Sequence, residues 1–284
     1  MTSNHFKAKI LADIGITDFF ESDTSQPVEI DLQGWQSQHP FLTDFLEGDC
    51  EKIIIEVGVW KGASTIHMAN HCKNSHSNSV IISVDTFLGS SEHYNNSRYQ
   101  SNFGNNLGEI NLLKQFVSNV KVLNLEKFII PLPLDSLNAS ELIIRSLLVV
   151  DIIHIDGGHN YDSVILDLMA WWPILKVGGV MIMDDYSENW PGVTKAVDEF
   201  LETIAYSNFQ SMNGKCCFIK SNLHTNGFKG VTNIHKTSSS LNDSKMRKIL
   251  LELDKSNRAL DQLINSKSFR FTKLLRLVKA YFSI

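Results

Sequence analysis

Three acidic residues follow two apolar runs in the middle of the chain. Asp156 ends the run VVDIIHID (149–156), and Asp184 and Asp185 end the run GGVMIMDD (178–185). If the two runs are neighbouring strands, the three carboxylates converge at one sheet edge, where mutual repulsion raises their pKa values until a cation binds. All-oxygen ligands favour Mg²⁺, or else Mn²⁺ or Ca²⁺, over zinc. The spacing therefore predicts a divalent-metal site formed by Asp156, Asp184 and Asp185; the alternative is a set of helix-capping or solvated loop acids.

His159 lies three residues beyond Asp156, in the predicted turn before a helix. Imidazole titrates near neutral pH, so a histidine at this place can accept the proton of a reacting hydroxyl. A bound cation would lower the pKa of that hydroxyl and orient its oxygen. We therefore predict that His159 is the catalytic base and that Asp156 acts with it. The alternative is a histidine that caps a helix or packs in the core.

A glycine-containing turn follows the first apolar run. The segment IIIEVGVWKGAST places Glu56, Gly58 and Gly62 at the end of a strand, and Asp85 ends the next run, VIISVDTF. Ligands of open α/β sheets bind at the carboxyl ends of strands, glycine permits a tight turn and close approach of a ligand, and an acid after the second strand can bind ribose hydroxyls. The E-x-G-x-x-x-G spacing differs from the G-x-G-x-x-G of dinucleotide sites, which weighs against a nicotinamide cofactor. For Asp85 a helix-capping or loop role is the alternative.

Continuous apolar runs alternate with helix-like segments along the chain. Such runs are typical of strands buried on both faces of a parallel sheet, and their alternation with helices predicts a doubly wound α/β fold with a mostly parallel sheet. The predicted strands are 53–59, 80–87, 120–125, 149–156 and 178–185, with a final pair at 209–211 and 216–219. The predicted helices are 63–72, 108–117, 161–175 and 193–203.

Together these motifs resemble the class I S-adenosylmethionine-dependent methyltransferases. More narrowly, the chain is similar to metal-dependent O-methyltransferases of the catechol type and of the macrolide-sugar type. The resemblance covers roughly residues 31–219 and implies a seven-stranded Rossmann-like sheet. It is carried by DLQGWQSQHPF, IIIEVGVWKGAST, DTFLGSSEH, IHIDGGHNYDSVILDLMAWWPILKVGGVMIMDDY and NWPGVTKAVDEF.

The resemblance implies S-adenosylmethionine as cofactor and Mg²⁺ or Mn²⁺ as metal, with Asp156, Asp184 and Asp185 as ligands. Catechol-type enzymes carry a lysine at the position of His159, whereas the macrolide-sugar type carries a histidine. This favours methyl transfer to a sugar-like hydroxyl of a glycan or small molecule over transfer to a catechol. The implied cofactor-binding residues are Glu56, Gly58, Trp60, Gly62 and Ser64 at the methionine and ribose, Asp85 at the ribose hydroxyls, and Asp135 and Ser136 near the adenine.

Two other functions stay open. The first is a relative resembling cephalosporin hydroxylases, with the same fold, cofactor loop and metal but a different reaction. The second is a non-catalytic scaffold subunit, against which the intact set of Glu56, Asp156, His159, Asp184 and Asp185 argues.

The chain is predicted to divide into a helical lead-in at 1–50, a catalytic domain at 51–220, a polar linker at 221–243 and a helical tail at 244–284. Residues 244–265 carry a short a/d repeat that predicts a coiled coil and homo-oligomer. Residues 266–282 predict a basic amphipathic helix, which either touches an anionic membrane or packs on protein. The tail also resembles, weakly, tails of bacterial surface-polysaccharide enzymes.

Charge and cysteine content limit the class of protein. The formal charge is −5, which excludes a globally basic nucleic-acid binder, although the last 40 residues hold ten basic and only three acidic residues. Four cysteines without a C-x-x-C pair indicate a reducing compartment. No signal peptide is evident at the N-terminus. We therefore expect a cytoplasmic protein, with membrane association on the inner face if the tail binds lipid.

Overall fold

The computed structural model describes residues 3–35, 37–48, 51–94, 99 and 112–221. Within these ranges, helices and strands alternate, with short 3₁₀ turns between some of them. The strands are β1 (Ile53–Val57), β2 (Val80–Val84), β3 (Ile129–Leu132), β4 (Val150–Ile155), β5 (Leu175–Met183), β6 (Tyr206–Met212) and β7 (Lys215–Lys220). The helices are α1 (Ser3–Ile14), α2 (Phe19–Ser22), α3 (Ala63–Asn74), α4 (Ser91–Tyr94), α5 (Leu112–Val122), α6 (Ser136–Ser146), α7 (Tyr161–Trp171) and α8 (Pro191–Leu201).

The strands form one sheet in the order β3-β2-β1-β4-β5-β7-β6. The first five of these run parallel to one another, whereas β7 is antiparallel to both β5 and β6. The predicted doubly wound, mostly parallel, seven-stranded sheet is therefore confirmed. The strand order reverses between β1 and β4, so the loops that leave these two strands diverge and leave a crevice at their carboxyl ends.

Each face of the sheet is covered by its own group of helices. Alternate residues of β1 show the division, because Ile53, Ile55 and Val57 pack with α1, α6, α7 and α8, whereas Ile54 packs with α3 and α5. All five residues of β1 are buried. Two apolar layers thus hold the parallel strands in place, and the strand ends that carry the predicted site residues project from a rigid centre.

The segment VKVLNL (120–125), predicted as the third strand, is instead the end of a helix and the turn after it, so this prediction was wrong. α5 continues to Val122, and Asn124 then adopts a left-handed conformation with φ 55°. Leu112, Phe116 and Val120 recur every four residues and are all buried. This helical period outweighs the local preference of the valines for strands.

The true third strand, Ile129–Leu132, escaped prediction because of its proline. Pro131 cannot donate a backbone hydrogen bond, and proline is therefore confined largely to the edges of sheets. β3 is the edge strand next to β2, with Pro131 paired in register with Ser83. The edge position explains how a proline is tolerated in this strand.

Other predicted boundaries shift by a few residues. α7 ends at Trp171, because Pro173 follows, and β5 begins at Leu175, which had been assigned to the end of the helix. The final pair of strands is present as β6 and β7, each longer than predicted. Within the predicted helical lead-in, residues 40–46 form a pair of 3₁₀ turns, Pro40–Leu42 and Asp44–Leu46.

Backbone contacts divide the chain into two compact units, residues 1–226 and 227–284. The lead-in helix α1 belongs to the first unit, where Ile10 and Ile14 join the apolar layer. The predicted linker beyond Ser221, the coiled coil at 244–265 and the amphipathic helix at 266–282 lie outside the described residues. Of the helices in the described part of the chain, none is both long and apolar enough to cross a membrane.

Candidate active site

A cavity of about 1040 Å³ opens at the carboxyl ends of the parallel strands. Ligand pockets in proteins are commonly ~300–1,000 Å³, so this volume suits a large ligand or two ligands side by side. Most residues that the sequence predicted for cofactor, metal and catalysis line this one cavity. They are Gly58, Trp60, Ser64, Asp85, Asp135, Ser136, Asp156, His159, Asp184 and Asp185.

Gly58 and Gly62 shape the turn after β1, but for different reasons. Both have φ +86°, a conformation that favours glycine. A Cβ on Gly58 would lie 2.0 Å from the carbonyl oxygen of Asp156, so this glycine lets two strand ends touch. A Cβ on Gly62 would lie 2.4 Å from the ring of Phe116. Gly62 is thus needed for helix packing and does not line the cavity, contrary to the expectation that it lets a ligand approach.

Asp85 braces the turn after β1. One of its oxygens, Oδ2, accepts hydrogen bonds from the backbone N–H groups of Val59 at 2.7 Å and Trp60 at 2.9 Å, and Oδ1 accepts one from Phe87 at 2.7 Å. Trp60 has φ 54°, which is strained for a bulky residue. The carboxylate of Asp85 compensates this strain and faces the cavity, where the ribose role stays a prediction.

Glu56 is buried next to the cavity but does not line it. Its side chain is fully buried, and its carboxylate accepts hydrogen bonds from the hydroxyls of Ser64 and Thr65 at the start of α3. Ser64 lines the cavity, whereas Glu56 does not. The structure thus places Glu56 where it orients Ser64 rather than where it would touch a ligand itself.

A buried charge network continues from Glu56 across four adjacent strands. Glu56 on β1, His154 on β4 and Lys215 on β7 have no exposed surface, and Asp184, just after β5, is 7% exposed. His154 Nδ1 lies 3.2 Å from a Glu56 oxygen, its Nε2 lies 3.7 Å from Asp184 Oδ2, and the ammonium of Lys215 donates to that same oxygen. The chain therefore supplies its own positive charge to Asp184.

The pKa values in this network follow from the mutual attraction of its members. Burial opposes the charge on His154, but the neighbouring Asp184 and Glu56 outweigh burial and raise its pKa to about 9. Burial alone would raise the pKa of Asp184, yet His154 and Lys215 hold that pKa well below its usual range. We did not predict Lys215 from the sequence. The available signal was a lysine at the start of the apolar strand KCCFIK.

A second cluster, Asp156, His159 and Asp185, faces the cavity. His159 Nε2 lies 2.8 Å from Asp185 Oδ2 and 3.9 Å from Asp156 Oδ1, and the imidazole packs against Trp190 with ring centroids 4.3 Å apart. These side chains are 20–30% exposed. Asp185 has φ 56°, which turns its carboxylate back toward the histidine. The structure brings these three side chains together.

Electrostatics in this second cluster favour a proton on the histidine. Burial would lower the pKa of His159, but Asp156 and Asp185 outweigh burial and raise it to about 10. Desolvation, followed by repulsion from Asp184, raises the pKa of Asp156 to about 7. In this ion-paired state His159 is protonated at neutral pH. It can accept a proton only when another cation takes up the charge of its carboxylate partners.

The three predicted metal ligands do not form a single group. Within 4.8 Å, ligand atoms gather into two overlapping sets among the described residues, His154 with Asp156 and Asp184, and Asp156 with His159 and Asp185. Because Lys215 already neutralises Asp184, only the second set has carboxylates without a buried lysine partner. The carboxylate oxygens of that set, on Asp156 and Asp185, suit a divalent cation such as Mg²⁺ or Mn²⁺. The residues present therefore fit a metal at Asp156 and Asp185.

The start of α6 also lines the cavity. Asp135 caps this helix, since its Oδ1 accepts a hydrogen bond from the backbone N–H of Asn138 at 3.0 Å. Ser136 accepts a hydrogen bond from Trp171 Nε1 at 2.8 Å and donates one to Asp167. Asp167 was not predicted from the sequence, although an acid among the apolar residues of SVILDLMAW was a signal.

Aromatic side chains surround the mouth of the cavity. The rings of Trp60 and His93 stack with centroids 4.2 Å apart, and Tyr99 meets both edge to face. Trp35, which is 54% exposed, packs on Tyr99 at 5.9 Å. These aromatic side chains line the same cavity as the cluster that contains His159.

Comparison with known proteins finds a family model that matches the part of the chain containing most of these site residues. Residues 55–186 match the family model Methyltransf_24, a methyltransferase domain, which confirms the resemblance to methyltransferases. A curated relative, an uncharacterized protein of Acanthamoeba polyphaga mimivirus, is 26% identical over 152 residues. The match covers 53% of this chain and 59% of the relative, so the chain spans less than two thirds of that protein.

Several solved structures are similar in fold. An O-methyltransferase from Bacillus cereus in complex with SAH is 16% identical, with a TM-score of 0.47, over 77% of this chain and 90% of that chain. CalS11, a TDP-rhamnose 3′-O-methyltransferase of calicheamicin biosynthesis, is 15% identical with a TM-score of 0.46, over 63% and 76%. The O-methyltransferase NovP is 19% identical with a TM-score of 0.42, over 60% and 72%.

Proposed function

We propose that this chain, whose residues 55–186 match a methyltransferase domain, transfers a methyl group from S-adenosylmethionine to a hydroxyl of a sugar. One observation carries the proposal. A single cavity is lined by the glycine turn after β1, by Asp85 and by the cluster of Asp156, His159 and Asp185. A nucleoside cofactor and a hydroxyl acceptor can therefore lie side by side.

The chain contributes mainly by holding the two reactants in line. The sulfonium is already an activated methyl donor, so alignment with the acceptor oxygen supplies much of the rate. Asp85 fixes the turn that carries Val59 and Trp60, and Glu56 fixes Ser64 through its hydroxyl. The turn and the first residues of α3 thus present a preformed surface to the donor.

Removal of the hydroxyl proton falls to His159. Asp156 and Asp185 hold the imidazole, and Trp190 packs against its ring, so that Nε2 lies at the cavity surface. Asp156 and Asp185 are also the residues that would hold a divalent cation. When bound, such a cation would acidify the acceptor hydroxyl and balance the carboxylate charge beside His159. His159 would then accept the proton at Nε2.

The sugar class of the acceptor rests on two features. His159 stands where the macrolide-sugar type of enzyme, which the sequence resembles, carries its histidine. The mouth of the cavity presents the aromatic side chains of Trp35, Trp60 and Tyr99, and such rings pack well against the apolar faces of sugar rings. Cytoplasmic location, oligomerisation through 244–265 and membrane contact through 266–282 remain separate proposals.

The proposal is tested with the full-length protein in two steps. Calorimetry first measures the binding of S-adenosylhomocysteine. Methyl-labelled S-adenosylmethionine is then supplied with nucleotide-linked sugars, simple glycosides and a catechol, with EDTA and after restoration of Mg²⁺. We expect labelled product from the sugar class alone, loss of transfer in EDTA and recovery with Mg²⁺.

Two histidine variants test whether His159 is the catalytic base. We expect His159→Ala to slow methyl transfer by about 10²–10⁴-fold while binding of S-adenosylhomocysteine is unchanged. His76→Ala, on an exposed turn away from the cavity lining, should have wild-type activity. No binding of S-adenosylhomocysteine, or a product that gains an oxygen atom instead of a methyl group, would refute the proposed function. Full transfer in EDTA would remove the metal from it.

A further inference from the structure

Lys215, the first residue of β7, is a buried cation that the proposed mechanism does not use. Its side chain has no exposed surface, and its ammonium donates a hydrogen bond to Oδ2 of Asp184. A buried ion pair is often no more stabilising than apolar residues of the same volume. Stability alone therefore does not account for a lysine at this position, and its effect on Asp184 has to be considered.

The pair borders a place where a cation would find ligands. His154, Asp156 and Asp184 each offer one ligand atom, and these atoms lie within 4.8 Å of one another. His154 has no exposed surface, and among the described residues its Nε2 has no hydrogen-bond partner, since the Asp184 oxygen is 3.7 Å away. The set shares Asp156 with the cavity-facing set that also contains His159 and Asp185. By position alone, Asp184 is therefore within reach of a metal bound at Asp156.

Both oxygens of Asp184 are nevertheless engaged by the chain itself. Oδ1 accepts a hydrogen bond from the backbone N–H of Asp185 at 2.8 Å, and Oδ2 accepts one from Lys215. An ammonium and a divalent ion at one buried carboxylate would repel each other, because buried charges are poorly screened. Asp184 can therefore serve the lysine or a metal, but not both.

The other two acids of the site are not engaged in this way. The ion-pair contacts of Asp156 and Asp185 within the described part of the chain are with the imidazole of His159, at 3.9 and 2.8 Å. Their side chains are 28% and 30% exposed, and both line the cavity. An ion that enters from the cavity thus meets these two carboxylates without a lysine in its way.

We propose that Lys215 is a built-in cation that keeps Asp184 out of the metal site. The ion is then held by Asp156 and Asp185, and this arrangement replaces the ligand role that the family resemblance implies for Asp184. Because affinity for a hard cation rises with the number of charged ligands, the lysine also weakens metal binding. Lys215 is a positioning residue, since it acts through Asp184. The inference rests on the metal of the proposed function and concerns which acids hold it.

The test titrates Mn²⁺ into the full-length protein, without cofactor or acceptor, and follows the free ion by electron paramagnetic resonance. We expect Lys215→Met to bind Mn²⁺ about tenfold or more tightly than the wild type, because the substitution frees a third carboxylate and removes a like charge. The double variant Asp184→Asn/Lys215→Met, which lacks both charges, should bind about as tightly as the wild type. Lys195→Met, at an exposed lysine of α8, is the control and should not change the affinity.

The double variant keeps the test decisive if Lys215→Met does not fold, because exchanging both members of a buried ion pair is tolerated better than leaving one charge alone. Binding of Mn²⁺ by the double variant about tenfold or more weakly than by the wild type would show that Asp184 is a metal ligand and overturn the inference. An unchanged affinity in folded Lys215→Met would overturn it as well.

Failure of the proposed function gives a different result. If the wild type binds no S-adenosylhomocysteine or transfers no methyl group, the proposed function fails, while the Mn²⁺ affinities still report on Lys215. Absence of Mn²⁺ binding by the wild type and by both variants would overturn this inference together with the metal of the proposed function.

Discussion

Two acids that line the cavity are buried to the same extent and behave in opposite ways. Asp184 and Asp167 are each 7% exposed. Lys215 and His154 hold the pKa of Asp184 well below its usual range, whereas Asp167 has only a serine hydroxyl and burial raises its pKa to about 6. Equal burial thus gives opposite electrostatics, and the partner decides the outcome. The chain neutralises Asp184 with its own lysine, whereas within the described part of the chain Asp167 has only the hydroxyl of Ser136 as a hydrogen-bond partner.

The largest expected effect comes from removing the partner of Asp184. Lys215→Met keeps the apolar stem and deletes the ammonium, so a carboxylate remains buried without its main counter-charge. Breaking a buried ion pair in this way costs about 3–5 kcal/mol. We expect the free energy of unfolding in urea to fall by that amount at pH 7.

An exposed lysine provides the matched control for this change. Lys195 pairs with Glu199 on the surface of α8, with side chains 64% and 47% exposed. Lys195→Met should alter stability by about 0–1 kcal/mol, because water screens such pairs. Equal effects of the two substitutions would show that Lys215 is not the partner that neutralises Asp184.

The substitution Asp167→Asn is expected to stabilise the folded protein. The folded-state pKa of Asp167, about 6, exceeds its ordinary value of 3.8. The folded protein therefore binds this proton more tightly than the unfolded chain, and the penalty is full above pH 6 and lost as the pH falls toward 3.8. Asp167→Asn retains an acceptor for Ser136 and should stabilise the protein by up to about 3 kcal/mol at pH 7.5.

The pH dependence of the stabilisation by Asp167→Asn shows whether it arises from the titration of Asp167 or from a general improvement in packing. At pH 5 the stabilisation by Asp167→Asn should be about half of its value at pH 7.5, as measured by urea unfolding at both pH values. Asp162→Asn on the exposed face of α7 should show no such change. A gain that is the same at both pH values would exclude titration of Asp167 as the cause.

The smallest effect on stability is expected in the cavity-facing cluster. Asp185 adopts φ 56°, a conformation that asparagine also accepts readily, and its partner His159 is partly exposed. Asp185→Asn should therefore change the free energy of unfolding by at most about 1 kcal/mol. Its affinity for Mn²⁺, followed by electron paramagnetic resonance, should nevertheless fall about tenfold or more.

The variant Asp184→Asn is compared with Asp185→Asn in the same two measurements, stability and Mn²⁺ affinity. Because Lys215 already contacts Asp184, we expect that variant to lose stability but to bind Mn²⁺ nearly as well as the wild type. If Mn²⁺ binding were instead lost with Asp184→Asn and retained with Asp185→Asn, the metal would lie at the buried pair. The distinction between the two clusters would then fail.

Most of the sheet could be predicted because its strands are continuous apolar runs, as in β1, β2 and β4. β3 could not, because Pro131 breaks the strand pattern and only the edge position of β3 makes the proline acceptable. The end of α5 was mispredicted as a strand, because a short stretch of valine and leucine resembles a strand in sequence. Only the burial of every fourth residue up to Val120 shows that the stretch is helical.

The site was predictable where chemistry and strand ends coincide, as at Asp156, His159 and Asp185. It was not predictable where a role depends on a partner distant in sequence. Lys215 and Asp184 are 31 residues apart, as are Asp167 and Ser136. The sequence around Asp184 could not show that Lys215 neutralises its charge. Nor could the segment around Glu56 show that its carboxylate accepts a hydrogen bond from Ser64 without lining the cavity itself.

The contact between Gly58 and the carbonyl oxygen of Asp156 leaves no room for even one methyl group between the two strand ends. The turn after β1 and the loop after β4 are therefore in direct backbone contact, and a change in one displaces the other. Substitutions at Trp35 and Tyr99, which line the cavity from other segments of the chain, leave this contact intact.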